Sequence, residues 1–184
     1  MERMKKLLFV ISLFLFSTTS YAEYDRYWLE LSAGFAHGET LKLKARDGEM
    51  GWALIHSKYD ESKFLGPANY NRETLEKLET EYKVYGLSKF VSFPFNWGYA
   101  EAGLGLGYGN GSWSENCSDY DKSLFGTSQR CDLKEGGTFG VPFHASATFG
   151  RYIGIGVNMD VFLTLDRGTI SQVGLVIPFG LFTK

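Results

Sequence analysis

Residues 151–164 read Arg151-Tyr-Ile-Gly-Ile-Gly-Val-Asn-Met-Asp-Val-Phe-Leu-Thr164. One parity carries Ile153, Ile155, Val157, Met159, Val161 and Leu163. The other carries Gly154, Gly156, Asn158, Asp160 and Thr164, with only Phe162 apolar. Successive side chains of a strand point to opposite faces, so this alternation predicts a strand with one apolar face and one small or polar face. The run is long enough to cross a bilayer at a tilt, which takes about 9–11 residues. A soluble sandwich uses the same pattern with its apolar face buried. One strand therefore leaves sandwich and barrel both open.

The alternation recurs along the chain. Strands are expected near 26–38, 48–59, 62–69, 78–92, 97–109, 136–150, 151–165 and 170–182. The first puts Leu29, Leu31, Ala33 and Phe35 against Glu30, Ser32 and Gly34. The fifth puts Ala100, Ala102, Leu104, Leu106 and Tyr108 against Glu101, Gly103, Gly105 and Gly107. The sixth sets Phe139, Val141, Phe143, Ala145, Ala147 and Phe149 against Gly140, Pro142, His144, Ser146 and Thr148. The eighth sets Val173, Leu175, Ile177, Phe179 and Leu181 against Gln172, Gly174, Pro178 and Gly180, with Val176 breaking the rule. The second and third segments do not alternate cleanly. A soluble core would want bulk where these minor faces carry glycine and charge. A barrel with an apolar outside and a polar lumen wants this arrangement. The fold class expected is all-β, an eight-stranded antiparallel up-and-down transmembrane β-barrel. Short links are expected at Asp60-Glu61, 93–96 and Gly150-Arg151, and long ones at 39–47, 70–77 and 110–135, alternating between the two ends. Residues 71–80 hold good helix formers and read either as a short helix on an outer loop or as a polar start to strand four.

The first 22 residues read as a cleaved secretory signal peptide. Arg3, Lys5 and Lys6 precede the apolar run 7–16, and Ser20-Tyr21-Ala22 offers small residues at the positions a signal peptidase reads. Residues 23–184 then form one barrel domain, located in the cell outer membrane. Without the leader the charge falls from −2 to near −4, with 16 basic and 20 acidic side chains, the wrong sign for a nucleic-acid partner. Cys117 and Cys131 share one polar stretch, and in an oxidising compartment they are expected to pair as a disulfide.

The leader, the alternating segments and the run Gly140-Val-Pro-Phe-His-Ala-Ser-Ala-Thr-Phe-Gly-Arg-Tyr-Ile-Gly-Ile-Gly-Val-Asn158 resemble the small eight-stranded outer-membrane barrels of the outer-membrane protein A and X type. The resemblance implies outer-membrane lipid as surroundings and the barrel-insertion machinery as an assembly partner. Barrels of this kind end in an aromatic residue. Here Phe182 is followed by Thr183 and Lys184.

Candidate chemistry is sparse. His144 and Ser146 are neighbours on one strand face, and a His near a Ser is the start of a hydrolase site. The outer-membrane lipid A deacylases carry such a His-x-Ser pair with a Glu fourteen residues after the His. That position here is Asn158, with Asp160 and Glu101 as substitutes. The bland reading is a lumenal polar network. Glu30, Glu81, Lys83, Lys89, Glu101, His144 and Asp160 all fall on the expected inward parity. An eight-stranded bore is just wide enough for side chains to fill, which favours a plug. Three histidines scattered along the chain suggest no metal site, and no cofactor is expected. Trp28, Trp52 and Trp97 suit membrane-interface girdles, and Trp113 suits an outer loop. The expected function is non-enzymatic: envelope structure, or surface interaction through outer loops whose partner is unknown. A lipid-modifying hydrolase and a soluble exported barrel with a small ligand are the alternatives.

Overall fold

The computed structural model describes residues 26–35, 38–60, 68–71, 80–123, 126–165 and 169–181. The expected leader, the 72–79 segment and the terminal 182–184 lie outside them. Among the described residues nine strands are present: β1 (Arg26–Gly34), β2 (Glu39–Asp47), β3 (Met50–Tyr59), β4 (Ala68–Asn71), β5 (Tyr82–Phe95), β6 (Gly98–Ser123), β7 (Gly126–Gly150), β8 (Gly154–Thr164) and β9 (Thr169–Gly180). Eight close into a ring in the order β1-β2-β3-β5-β6-β7-β8-β9, with β9 pairing back onto β1 and every neighbour antiparallel. Closure leaves no sheet edge around the ring. β4 stands apart and pairs in parallel with residues 128–131 of β7.

The ring has the eight strands expected, but two placements differ. The 39–47 segment, expected as an outer connection, is β2, and the two-residue turn Gly48-Glu49 joins it to β3. Of the expected third strand over 62–69, residues 62–67 lie outside the described residues, as does Glu61 of the expected short link, and Ala68-Asn69 belong to β4 rather than to the ring. Leu41-Lys42-Leu43-Lys44-Ala45-Arg46 alternates perfectly, yet its polar parity is a row of cations, which looks solvated until carboxylates from other strands are brought opposite. The 110–135 loop is also a correction. β6 and β7 run on as one hairpin well past Gly111, where β5 stops pairing. Cys117 and Cys131 are disulfide-bonded across that hairpin, with Cα atoms 4.1 Å apart.

The outer surface is layered. Leu43, Leu54, Leu87 and Leu106 form one cross-strand row. The next row toward the hairpin end is Leu41, His56, Tyr85, Tyr108 and Phe139, and beyond it come Glu39, Lys58 and Lys83. At the opposite end Phe93, Phe95, Trp97, Phe149 and Tyr152 are all exposed. Aliphatic side chains thus form a band between two aromatic rims. Ten residues separate Tyr85 from Phe95 on β5, which is about 33 Å along the strand and about 25 Å along the axis at a tilt of roughly 40°. Lys89 lies on this outer parity too, but it is 3% exposed, with its Nζ 5.9 Å from the Trp52 ring centre.

Candidate functional site: a braced charge network in the bore

The inward parity of β2 sets Thr40, Lys42, Lys44 and Arg46 in a column, all buried. Four consecutive inward positions on one strand are two residues apart in sequence, so they step up the bore together. Lys44 is 0% exposed. Its Nζ lies 2.6 Å from Glu30 Oε2 of β1 and also pairs with Glu101 Oε1 of β6. Glu30 Oε1 accepts from Trp28 Nε1 at 3.0 Å and from the Tyr99 hydroxyl at 2.5 Å. One step of the ladder higher, Lys42 Nζ lies 2.5 Å from Asp160 Oδ1 of β8. Asp160 Oδ2 accepts from Asn158 Nδ2 at 2.5 Å and from Gln172 Nε2 at 3.2 Å. Arg46 donates to Ser92 of β5. The lysines of β2 therefore reach across the lumen to β6 and β8 and brace opposite walls. Charges this buried stand only when paired and hydrogen-bonded.

Apolar side chains pack in two clusters, one beside this network and one toward the hairpin end. Trp28, Phe90 and Tyr99 cluster with Ala53 and Ile55 beside Lys44. Trp28 therefore points inward at 2% exposure, against the girdle position expected for it. Toward the hairpin end Tyr59, Tyr82, Val84 and Phe162 pack together.

The structure places Glu30, Glu101, His144, Ser146 and Asp160 in the bore, each less than 9% exposed. It does not place Glu81 and Lys83 there. Their side chains are 42% and 47% exposed at the rim, where Glu81 holds Lys58 at 2.6 Å and Lys83 at 2.8 Å. Lys89 is likewise outward. The parity expected for this strand is reversed, because on β5 the bulky Tyr82, Val84 and Phe90 take the inside. Glycines on β6 make the room. A Cβ on Gly103 would meet the Phe90 Cβ at 2.7 Å and the His144 ring at 2.5 Å, and one on Gly109 would collide with the Tyr82 ring. Lys42, Lys44 and Arg46 are the site residues that sequence reading missed. Their signal is the alternation over 41–46, which is plain in the sequence itself.

His144 and Ser146 share the inward face of β7, in register with Asp160 and Asn158 of β8. They do not bond each other. His144 Nδ1 lies 3.4 Å from Ser88 Oγ, and its Nε2 lies 3.8 Å from Glu101 Oε1. Ser146 Oγ has no hydrogen-bond partner among the described residues. A nucleophile needs its base within hydrogen-bond reach, and this pair lacks that contact. Among the described residues no cluster of three His, Cys, Asp or Glu side chains is arranged to hold a metal.

No protein-family model matches this sequence, and no curated protein does. Among solved structures, the chain is similar to the N-terminal β-barrel domain of Pseudomonas aeruginosa OprF. That match has 11% identity and a TM-score of 0.48, and covers 85% of this chain and 96% of that one. The Yersinia pestis outer membrane protein Ail in a phospholipid bilayer nanodisc matches at 13% identity and a TM-score of 0.49, over 85% of this chain and 99% of that one. Ail in complex with the heparin analogue sucrose octasulfate matches at 14% and 0.41, over 84% and 91%. At such identities and scores the architecture rests on the strand ladder of this chain itself.

Proposed function

We propose that this chain is a non-enzymatic integral outer-membrane protein. Its barrel sits in outer-membrane lipid, and its β6–β7 hairpin projects to the cell surface to serve envelope structure or surface interaction. The observation that carries this reading is the inverted surface: aliphatic outside, charged inside, with aromatic rims about 25 Å apart, the height of a lipid-facing band. A soluble barrel would expose Leu43, Leu54 and Leu87 to water and bury Lys44 for no return. The leader supplies export, and the barrel-insertion machinery would supply assembly. The bore network of Glu30, Lys42, Lys44, Glu101, His144, Ser146 and Asp160 is read as a structural plug. The missing contact between His144 and Ser146 favours that over lipid hydrolysis.

Fractionation decides the location. The protein is expected in the outer-membrane fraction, with unboiled and boiled samples running at different positions on a gel. Recovery from the soluble periplasm with no mobility shift would end this reading. Lipid A mass spectra from cells with and without the protein are expected to match. A lost acyl chain that returns in Ser146→Ala cells would establish the hydrolase instead.

A further inference from the structure

At the hairpin end of the barrel, above the Tyr82 and Phe162 layer, lies a cavity of about 210 Å³ that the charge network does not touch. Its aromatic walls are Tyr59 at the end of β3, Tyr82 at the start of β5 and Trp113 where β6 leaves the ring. The Tyr82 and Trp113 rings stand at 90° with centres 6.4 Å apart and form a corner. Glu115 lies beside that corner, within 3.4 Å of Trp113 Nε1, which donates to it. Thr80 also lines the cavity. It is 4% exposed, and its Oγ1 has no hydrogen-bond partner among the described residues. No Lys, Arg or His is among the described lining residues. The nearby Lys58 and Lys83 are held by Glu81 at the rim.

The chemistry of this lining selects by charge. Ring faces carry the negative side of the aromatic quadrupole, and a cation within about 6 Å of a ring centre is attracted to them. Trp113 and Tyr82 meet at right angles in a corner, and the exposed Glu115 carboxylate stands at its edge. An anion finds no cationic partner among these lining residues. A purely apolar guest would offer nothing to the buried Thr80 Oγ1. We propose that this mouth cavity binds a small organic cation of the quaternary ammonium class, such as the trimethylammonium group of choline, whose hydroxyl is within the chemistry of Thr80.

The test uses the full mature protein, folded in a non-ionic detergent free of amine-oxide and choline groups. Choline chloride, tetramethylammonium chloride and glucose are titrated at matched ionic strength, alongside 3,3-dimethyl-1-butanol, the uncharged carbon isostere of choline. Calorimetry and tryptophan fluorescence report binding. Both cations are expected to saturate one site, with the isostere weaker by roughly tenfold or more. Trp113→Ala is expected to abolish saturation, and Glu115→Gln to weaken it roughly twofold to fivefold at low salt, because that carboxylate is exposed. Both residues stand beyond the closed ring, so the boiled-against-unboiled gel shift should persist in each variant. Equal binding of choline and its isostere, saturation by glucose alone, no saturation by any probe, or unchanged affinity in Glu115→Gln would overturn the proposal.

Discussion

Two three-residue charge clusters in this protein are mirror images placed in opposite surroundings. In the bore, one lysine, Lys44, sits between two carboxylates, Glu30 and Glu101, all of them nearly inaccessible. At the rim, one carboxylate, Glu81, sits between two lysines, Lys58 and Lys83, with side chains 39–47% exposed. The contact distances at the rim, 2.6 and 2.8 Å, lie within 0.2 Å of the 2.6 Å between Lys44 and Glu30. Distance therefore does not separate them. Solvent does. Water and salt stand ready to replace Glu81 for either rim lysine, whereas Lys44 is the cation that bridges Glu30 and Glu101 where water does not reach.

The largest effect is expected from removing the bore cation. Lys44→Met strands two buried carboxylates and should lower unfolding stability in lipid vesicles by about 3–5 kcal/mol. A loss below that of a typical surface pair would mean that water reaches the bore and that the two clusters are alike after all. Next comes a charge placed on the outward face. Leu175 is 46% exposed on β9, and Leu175→Arg should cost about 2–4 kcal/mol if that face meets lipid near the midplane. The same substitution in a water-exposed surface would cost almost nothing, so urea titration of this variant tests the surroundings directly. Ser146→Ala comes third. Its hydroxyl makes no bond among the described residues, so the loss should not exceed that of one hydrogen bond, about 0.5–1.5 kcal/mol.

The smallest effect belongs to the rim. Hydrogen bonds from Lys58 and then Lys83 pull the Glu81 carboxyl down from its ordinary 4.5 to about 2. A carboxyl whose pKa is lowered by folding contributes stability that is present above the ordinary value and is lost as pH falls toward the folded one. The contribution of Glu81 is therefore expected to fade between about pH 4.5 and 2. It should also fade with added salt, because the group is exposed. Glu81→Gln should barely move the urea midpoint at neutral pH. Whatever small deficit it shows against wild type at pH 7 should shrink as pH falls from about 4.5 toward 2. A midpoint shift as large as that of Lys44→Met would break the contrast between the two clusters.

The sequence by itself carried the class of fold. The parities of 29–35, 100–108, 139–149, 153–163 and 173–181 are written in side-chain type, and a period of two survives without knowing any neighbour. Those strands form, and their Glu30, Glu101, His144, Ser146 and Asp160 lie on the inner face. Two regions were decided only by tertiary structure. In β5 both parities are mixed, and the choice of inside went to Tyr82, Val84 and Phe90 because glycines on β6 leave space for rings. Space is a property of the neighbouring strand, not of β5. In 39–47 the alternation was present, but three cations on one face look like a solvated surface until the ring closes. The β1–β2 hairpin sets Glu30 beside Lys44, but only closure sets Glu101 of β6 and Asp160 of β8 against Lys44 and Lys42. These partners are separated along the chain by as many as 118 residues in the case of Lys42 and Asp160. A local pattern reports which way a side chain points, but much of the charge that makes its burial tolerable comes from across the barrel.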